Sequence, residues 1–162
     1  MDHPLATQST RIGLRPHAGR GFTLIELMVV LAVMAILASI AVPSLSGIFN
    51  RLRLTGVANE LASDLQYARS EAVRRRAGVL LQPASDGYTI SSGSVLLKSV
   101  TFTSGLNFTE STVITFDQLR ATSTPATMDL RNAAGTMRVR VSAMGRVALC
   151  APGGNLSGYT AC

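Results

Sequence analysis

The stretch RGFTLIELMVVLAVMAILASIAVPS, residues 20–44, decides the architecture of this chain. Its 21 residues from Phe22 to Val42 are almost purely apolar. At a rise of about 1.5 Å per residue, a helix of that length spans a bilayer core of about 30 Å. The exception is Glu26, because an ionised carboxylate deep in a membrane helix costs about 2.5–3.5 kcal/mol. A plain membrane anchor explains every feature of the stretch except this acid.

The residues before this stretch are polar and basic, with Arg11, Arg15 and Arg20 and no apolar period. An ordinary secretory signal has a shorter apolar region, of about 7–15 residues, followed by a cleavage site with small residues. The excess of positive charge before the span predicts that residues 1–20 stay in the cytoplasm and that the C-terminal part lies on the other side of the membrane.

The apolar span continues into a second helical segment, GIFNRLRLTGVANELASDLQYARSEAVRRRAG, residues 47–78. Apolar residues recur there at steps of three and four from Leu54 to Val73, which predicts one buried stripe. The cations of residues 74–76 and the following Gly78 are typical of a helix end. The arginine triplet has two interpretations: solvated charge at the helix end, or contact with an acidic partner or nucleic acid.

The pattern changes after Gly78 to short runs that are typical of β-strands. Clusters of Ser, Gly, Thr or Pro separate most of these runs, as in antiparallel hairpins, and residues 119–126 are expected to form a surface loop. The predicted fold is therefore α+β, with the long N-terminal helix packed on an antiparallel sheet. The predicted strands are Val79–Gln82, Tyr88–Ser91, Val95–Phe102, Val113–Asp117, Thr127–Arg131, Met137–Val141 and Val147–Cys150.

The two cysteines, Cys150 and Cys162, lie at the C-terminal end of the chain. A proline and three glycines stand between them, which suits a disulfide that closes a loop in an oxidising compartment. The alternative is a pair of free thiols in the cytosol.

This chain has few residues that could catalyse a reaction. Both histidines, His3 and His17, precede the apolar span. The chain from Phe22 onward therefore has no histidine and cannot form a Ser-His-Asp or Cys-His nucleophile system. Zinc sites need clustered Cys and His, and two cysteines alone do not make one. We therefore predict a protein that is not an enzyme and that holds no cofactor or metal.

The segment from Gly21 to Glu26, with the apolar run and Pro43 behind it, resembles the class III signal of type IV pilins and pseudopilins. The resemblance implies that a prepilin peptidase cleaves after Gly21 and methylates the new N-terminal residue, Phe22. It also implies that Glu26 acts in subunit assembly, where it can pair with the Phe22 amine of a neighbouring subunit. The alternative for Glu26 is a carboxyl group that snorkels to the interface or becomes protonated. At Pro43 we expect a helix kink.

The same resemblance implies a division of the chain. Residues 1–21 are the cleaved prepilin leader, and residues 22–50 are the transmembrane and assembly half of the helix. Residues 51–162 are a periplasmic domain whose helical part runs to about residue 77. The expected location is the bacterial inner membrane, crossed once, and then a pilus or pseudopilus.

Two further motifs narrow the resemblance. YARSEAVRR, residues 67–75, is similar to the end of the first helix in the GspH/FimT group, and MRVRVSAMGRVALC, residues 137–150, is similar to that group's C-terminal strand pair with its Gly-Arg turn. The resemblance implies a minor type IV pilin that helps to assemble or prime the pilus. The alternative is a minor pseudopilin of type II secretion near the pseudopilus tip. The implied partners are prepilin peptidase, other major and minor pilins or pseudopilins, and the inner membrane.

A third function, weak DNA binding in natural transformation, rests on three arginines near the C-terminus. Strand alternation puts Arg138 and Arg140 on one face, and Arg146 follows at the turn. Arginines placed together can contact DNA phosphates without reading sequence. FimT-like competence pilins carry a Gly-Arg-x-Arg motif here, but this chain has Ala148 in place of the second arginine. The alternative is an ordinary solvated strand face.

Overall fold

The computed structural model describes residues 21–102, 105–154 and 156–162, with only the backbone described for residues 42–44. The chain divides into two compact units, Met1–Ser39 and Ile40–Cys162. Apart from Gly21, the predicted leader lies outside the described residues. The backbone at Pro43 is helical, and the kink expected there stays a prediction.

The described residues form one long helix followed by eight strands. The strands belong to two four-stranded antiparallel sheets with the orders β3-β2-β1-β5 and β4-β6-β7-β8. This confirms the predicted α+β class. The elements are α1 Leu24–Arg75, β1 Val79–Ala84, β2 Gly87–Ser92, β3 Val95–Thr101, β4 Asn107–Glu110, β5 Ile114–Phe116, β6 Ala126–Asn132, β7 Gly135–Val141 and β8 Val147–Cys150.

The core of the Ile40–Cys162 unit lies between the second half of α1 and the two sheets. The buried helix residues follow one another at alternating steps of four and three, which keeps them on one face of the helix. Val73, the last residue of the predicted stripe, is half exposed. Burial of each large side chain in this stripe contributes about 1.5–3 kcal/mol. The stripe consists of Leu54, Ala58, Leu61, Leu65, Ala68 and Ala72, all fully buried.

Strand β4 is not predicted by the sequence pattern. Only Phe108 among its four residues is apolar, and the strand lies at an edge of its sheet, where it pairs with β6 through backbone hydrogen bonds. The pairing is irregular between Phe108 and Glu110. A short polar edge strand has neither the alternation nor the apolar run that marks a strand in sequence.

The end of helix α1 also differs from the prediction. The left-handed residue that stops the helix is Arg76, with φ of 51°, and not Gly78. The Ala77 N–H donates to the Ala72 carbonyl at 3.3 Å and the Arg76 N–H donates to the Val73 carbonyl at 3.3 Å. These two bonds form a Schellman motif, which satisfies carbonyls that the helix leaves without partners.

Candidate functional site

The first candidate site is the start of helix α1. Gly21, Phe22 and Thr23 precede the helix, and the Thr23 hydroxyl oxygen accepts a hydrogen bond from the Glu26 N–H at 3.3 Å. Thr23 is therefore the N-cap, and Thr23-Leu24-Ile25-Glu26 has the spacing of a capping box. This cap is not among the predicted features of the chain, although the Thr-x-x-Glu pattern signals it. The cap places Phe22 just outside the first turn and Glu26 within it.

The helix beyond this cap has no protein cover within its own unit. The 18 residues Leu24–Ala41 have a mean hydropathy of 2.7, none of this window is buried, and by length and composition the segment can cross a membrane. Phe22, directly before it, is 84% exposed. An apolar surface of this extent requires lipid or neighbouring apolar helices around it.

The second candidate site is the group of three arginines predicted to contact DNA. Alternation on β7 is as expected, with Met137, Val139 and Val141 in the core. Arg138, however, is held by Asp129 on the neighbouring strand, through Nε–Oδ1 and Nη2–Oδ2 hydrogen bonds of 2.7 and 2.6 Å. The hydrogen bonds to this carboxylate raise the pKa of Arg138 above its ordinary value. Arg138 is therefore engaged within the domain, and the DNA contact expected of it stays a prediction.

Arg140 and Arg146 remain available for a ligand. Both are exposed, and neither side chain forms a hydrogen bond or ion pair within residues 21–102, 105–154 and 156–162. They line a groove of about 1100 Å³ at one end of the sheet β4-β6-β7-β8. Ala148 is directly opposite Arg140 on β8 and lines the same groove, so the arginine that competence pilins carry there would have enlarged the charge of this groove.

The two motifs that carry the family resemblance, residues 67–75 and 137–150, are in contact. Arg69, in the YARSEAVRR motif of α1, donates from Nε to the carbonyl oxygen of Ala121 at 3.2 Å. Gly145, in the Gly-Arg turn between β7 and β8, packs against both groups. A Cβ on Gly145 would lie 2.7 Å from the Ala121 oxygen and 2.9 Å from Arg69 Nε, and its φ of +70° disfavours any other residue. A glycine is therefore needed at this contact for space and for conformation.

The arginine triplet at the end of α1 is only partly solvated. Glu71, which is buried, accepts hydrogen bonds from Arg74 at 2.8 and 2.6 Å and from Arg75 at 2.6 Å. The hydrogen bonds with Arg74 and then Arg75 lower the pKa of Glu71 from 4.5 to about 2. Two of the three arginines thus bind an internal carboxylate, and Arg76 alone lacks such a partner in the described part of the chain.

A buried polar cluster joins α1 to the first sheet, and no sequence signal predicted it. Asp64 accepts a hydrogen bond of 2.6 Å from the Tyr88 hydroxyl and lies 2.7 Å from Lys98 Nζ. Burial, with the hydrogen bond to Asp64, raises the pKa of the Tyr88 phenol. Partners 24 and 34 residues away satisfy this carboxylate, so the cluster orients the helix on the sheet.

The C-terminal tail folds back onto the domain. A Cys150–Cys162 disulfide closes it, with a Cα–Cα distance of 5.2 Å. The Ala151 N–H donates to the Thr160 carbonyl at 2.9 Å, and Leu156 is fully buried. Asn59 on α1 donates from Nδ2 to the Tyr159 hydroxyl at 2.7 Å. The loop within the disulfide therefore contributes a residue to the core.

Comparisons with known proteins agree with these features. A model of the family described as type II transport protein GspH matches residues 57–145, and a model of the prokaryotic N-terminal methylation motif matches residues 17–42. The pilin-like protein PilA1 of Thermus thermophilus is 46% identical over 68 residues, which is 42% of each chain. The type IV major alpha-pilin of Moraxella bovis is 47% identical over 47 residues, 29% of this chain and 30% of that one. The matches thus span less than half of these relatives.

Two solved structures are similar to this chain in fold. The type IV minor pilin FimU of Pseudomonas aeruginosa is similar with a TM-score of 0.52 and 27% identity, over 63% of this chain and 91% of that chain. The minor pseudopilin EpsH from the type 2 secretion system of Vibrio cholerae shares the fold, with a TM-score of 0.50 and 16% identity over 62% of this chain and 98% of that chain. Since the GspH model covers more than half of the chain, the protein belongs to the GspH family of minor type IV pilins and pseudopilins, whose members are structural subunits.

Proposed function

We propose that this protein is a minor type IV pilin, a structural subunit that is incorporated into the pilus through α1. It is made as a prepilin that crosses the bacterial inner membrane once, with its β-sheet domain, residues 51–162, in the periplasm. The observation that carries the choice of pilin over pseudopilin is the likeness to FimU, at 27% identity over 91% of that chain, since the likeness to EpsH, at 16%, supports the fold alone.

Processing by prepilin peptidase after Gly21, with methylation of Phe22, is the first step of this function. A Cβ added to Gly21 meets no atom within 4 Å in the folded chain, so the fold itself does not require a glycine there. The requirement is then that of the peptidase, whose site a side chain would crowd. Gly21→Leu should leave a protein of unprocessed mass in the membrane. Gly47→Leu, which also has no neighbour within 4 Å, is the control and should be processed normally.

Assembly then depends on Glu26. In the proposed filament its carboxylate pairs with the Phe22 amine of the neighbouring subunit, which compensates a charge that is costly in lipid. A buried charge that loses its partner costs about 3–5 kcal/mol. Glu26→Ala should therefore insert and be cleaved but should be depleted from filaments. Glu60→Ala removes an exposed acid of the β-sheet domain, and it should be incorporated like the wild type.

The decisive experiment measures where the processed protein accumulates. Cells lacking the gene are complemented with the wild type, Glu26→Ala or Glu60→Ala, and sheared pili are analysed by immunoblotting. We expect the wild type and Glu60→Ala in the pilus fraction. Cells without the gene should have fewer pili and unchanged type II secretion. Normal pili together with a loss of type II secretion would instead identify a minor pseudopilin.

A second candidate function, weak DNA binding, rests on the groove that Arg140 and Arg146 line. Two arginines without internal partners can contact phosphates in a mode that is indifferent to sequence. Arg138, which Asp129 engages, is not among the residues that line the groove, and the alanine at position 148 and the carboxylate of Glu110 both reduce the positive charge that the groove offers. Salt-dependent DNA binding by the purified protein, described below, tests this candidate.

A further inference from the structure

Three segments that are far apart in sequence converge at one end of the β-sheet domain. They are the last turns of α1 with the residues that follow (69–78), the β5–β6 loop (117–124) and the β7–β8 turn (142–146). Arg69 bonds the Ala121 carbonyl, and Gly145 packs against both. The Ser123 N–H donates to the Ala143 carbonyl at 3.0 Å, and residues 78 and 117 line one shallow pocket. We call these three segments the arginine-rich end.

The arginine-rich end carries all of the net charge of the chain after residue 21. It holds six arginines and two carboxylates, Glu71 and Asp117, so its formal charge is +4. The other residues from 22 onward contain six basic and six acidic side chains, which leave no net charge. This asymmetry focuses a positive potential on one surface. The six arginines are Arg69, Arg74, Arg75, Arg76, Arg120 and Arg146.

Half of these arginines form hydrogen bonds within the domain and half do not. Arg69, Arg74 and Arg75 make the hydrogen bonds described above. The side chains of the other three, Arg76, Arg120 and Arg146, are exposed and form no hydrogen bond or ion pair within the described ranges. Folding therefore leaves three guanidinium groups on this surface whose hydrogen-bonding capacity only water or a partner can use.

Exposed apolar side chains lie among these charges. Leu119 is 82% exposed and Met144 is 72% exposed, and Val73 on α1 is half exposed. The backbone beneath both loop residues is closed by hydrogen bonds. The Leu119 N–H donates to Asp117 Oδ1 at 2.8 Å, and the Gly145 N–H donates to the Ser142 carbonyl at 2.8 Å. Two ordered turns thus hold large apolar side chains in water, and contact with a partner would remove this apolar area from solvent.

We propose that the arginine-rich end is a docking surface for a neighbouring protein subunit whose contact face combines acidic residues with an apolar pocket. This inference rests on the proposed function, since it names the surface through which the β-sheet domain binds a second assembly subunit. Charge complementarity selects an acidic partner, because the whole net charge lies here. Leu119 and Met144 select a protein over a nucleic acid, because contact with phosphates needs no apolar side chains.

The test places a photoreactive benzophenone amino acid in the full-length protein, expressed in its own cells. One variant carries it at Leu119, and the control carries it at Leu96, which is 61% exposed on the edge strand β3 and lies outside the arginine-rich end. After irradiation, the crosslinked peptide is sequenced by mass spectrometry. We expect a single assembly subunit at position 119, crosslinked through a peptide that contains Asp or Glu, and no such adduct at position 96.

Charge reversal makes the test specific. Arg120→Glu combined with Arg146→Glu should lower the yield of the position-119 adduct about tenfold or more, because like charges in contact oppose docking. Arg131→Glu, an exposed arginine on β6 outside this surface, should leave the yield unchanged. Equal adducts at positions 119 and 96, a partner peptide without acidic residues, or crosslinks to nucleic acid would overturn the inference.

The outcome is separable from the proposed function by analysing sheared pili in the same cells. Wild-type protein in the pilus fraction with no adduct at position 119 rejects the docking surface and leaves the pilin assignment intact. Absence of the wild-type protein from the pilus fraction rejects the pilin assignment. In that case, an Arg120- and Arg146-dependent adduct with an acidic subunit of another assembly would keep the docking surface.

Discussion

Substitution of Gly145 by alanine tests the contact that joins the two motifs. Two effects add at this position. Left-handed backbone costs a non-glycine residue about 1–2 kcal/mol. The new Cβ would also lie 2.7 Å from the Ala121 oxygen and 2.9 Å from Arg69 Nε, so one of these groups must move and their 3.2 Å hydrogen bond is strained or lost. A hydrogen bond made by a charged group contributes about 1.5–3 kcal/mol, and the total expected loss is about 3 kcal/mol.

Gly93 provides the matched control. Its φ of +58° is also left-handed, but an added Cβ meets no atom within 4 Å. Gly93→Ala therefore measures the backbone cost alone, about 1–2 kcal/mol. The difference between the two variants isolates the steric effect. A double-mutant cycle with Arg69→Ala should reduce this difference, because the flexible neighbour of the new methyl group is then absent.

The assay is urea unfolding of residues 40–162, followed by circular dichroism, with the free energy of unfolding obtained by linear extrapolation. If Gly145→Ala and Gly93→Ala lose equal stability, the close approach of Arg69, Ala121 and Gly145 is not energetically important. The explanation for a glycine at this turn would then reduce to its backbone conformation.

Three further predictions concern the other contacts. The pKa of Glu71 is lowered to about 2 in the folded state, so the unfolded chain binds more protons between pH 2 and 4.5. The stabilisation by Glu71 is full above pH 4.5 and is lost as the pH falls towards 2. Glu71→Gln should therefore flatten the pH dependence of the free energy of unfolding in this window. Replacing Cys150 and Cys162 by serine should lower the free energy of unfolding in urea by about 3 kcal/mol, and free thiols found by mass spectrometry in periplasmic wild-type protein would contradict this. In DNA gel shifts at several salt concentrations, two available arginines predict a slope of log K against log salt near −2; Arg146→Gln should reduce it by about one unit, and Arg138→Gln should leave it unchanged because Arg138 is bound to Asp129.

Local signals in the sequence determined the first half of the molecule. The apolar length, the acid at position 26 and the spacing of the helix stripe act over one or a few turns. They therefore predicted a span that the structure leaves uncovered and a helix face that it buries. Short β-like runs separated by Ser, Gly, Thr or Pro clusters predicted seven of the eight strands, and the polar edge strand β4 was not predicted.

Only the tertiary structure decided which charged side chains are available to a partner. The sequence predicts the strand or helix face on which an arginine lies. Whether its guanidinium group is paired depends on the residues that the fold places beside it. Asp129 reaches Arg138 across a strand pair. Arg69 meets a carbonyl 52 residues away. Such partners follow from sheet register and helix docking, which non-local packing determines. The same packing gathers the unpaired arginines and Leu119 onto one surface.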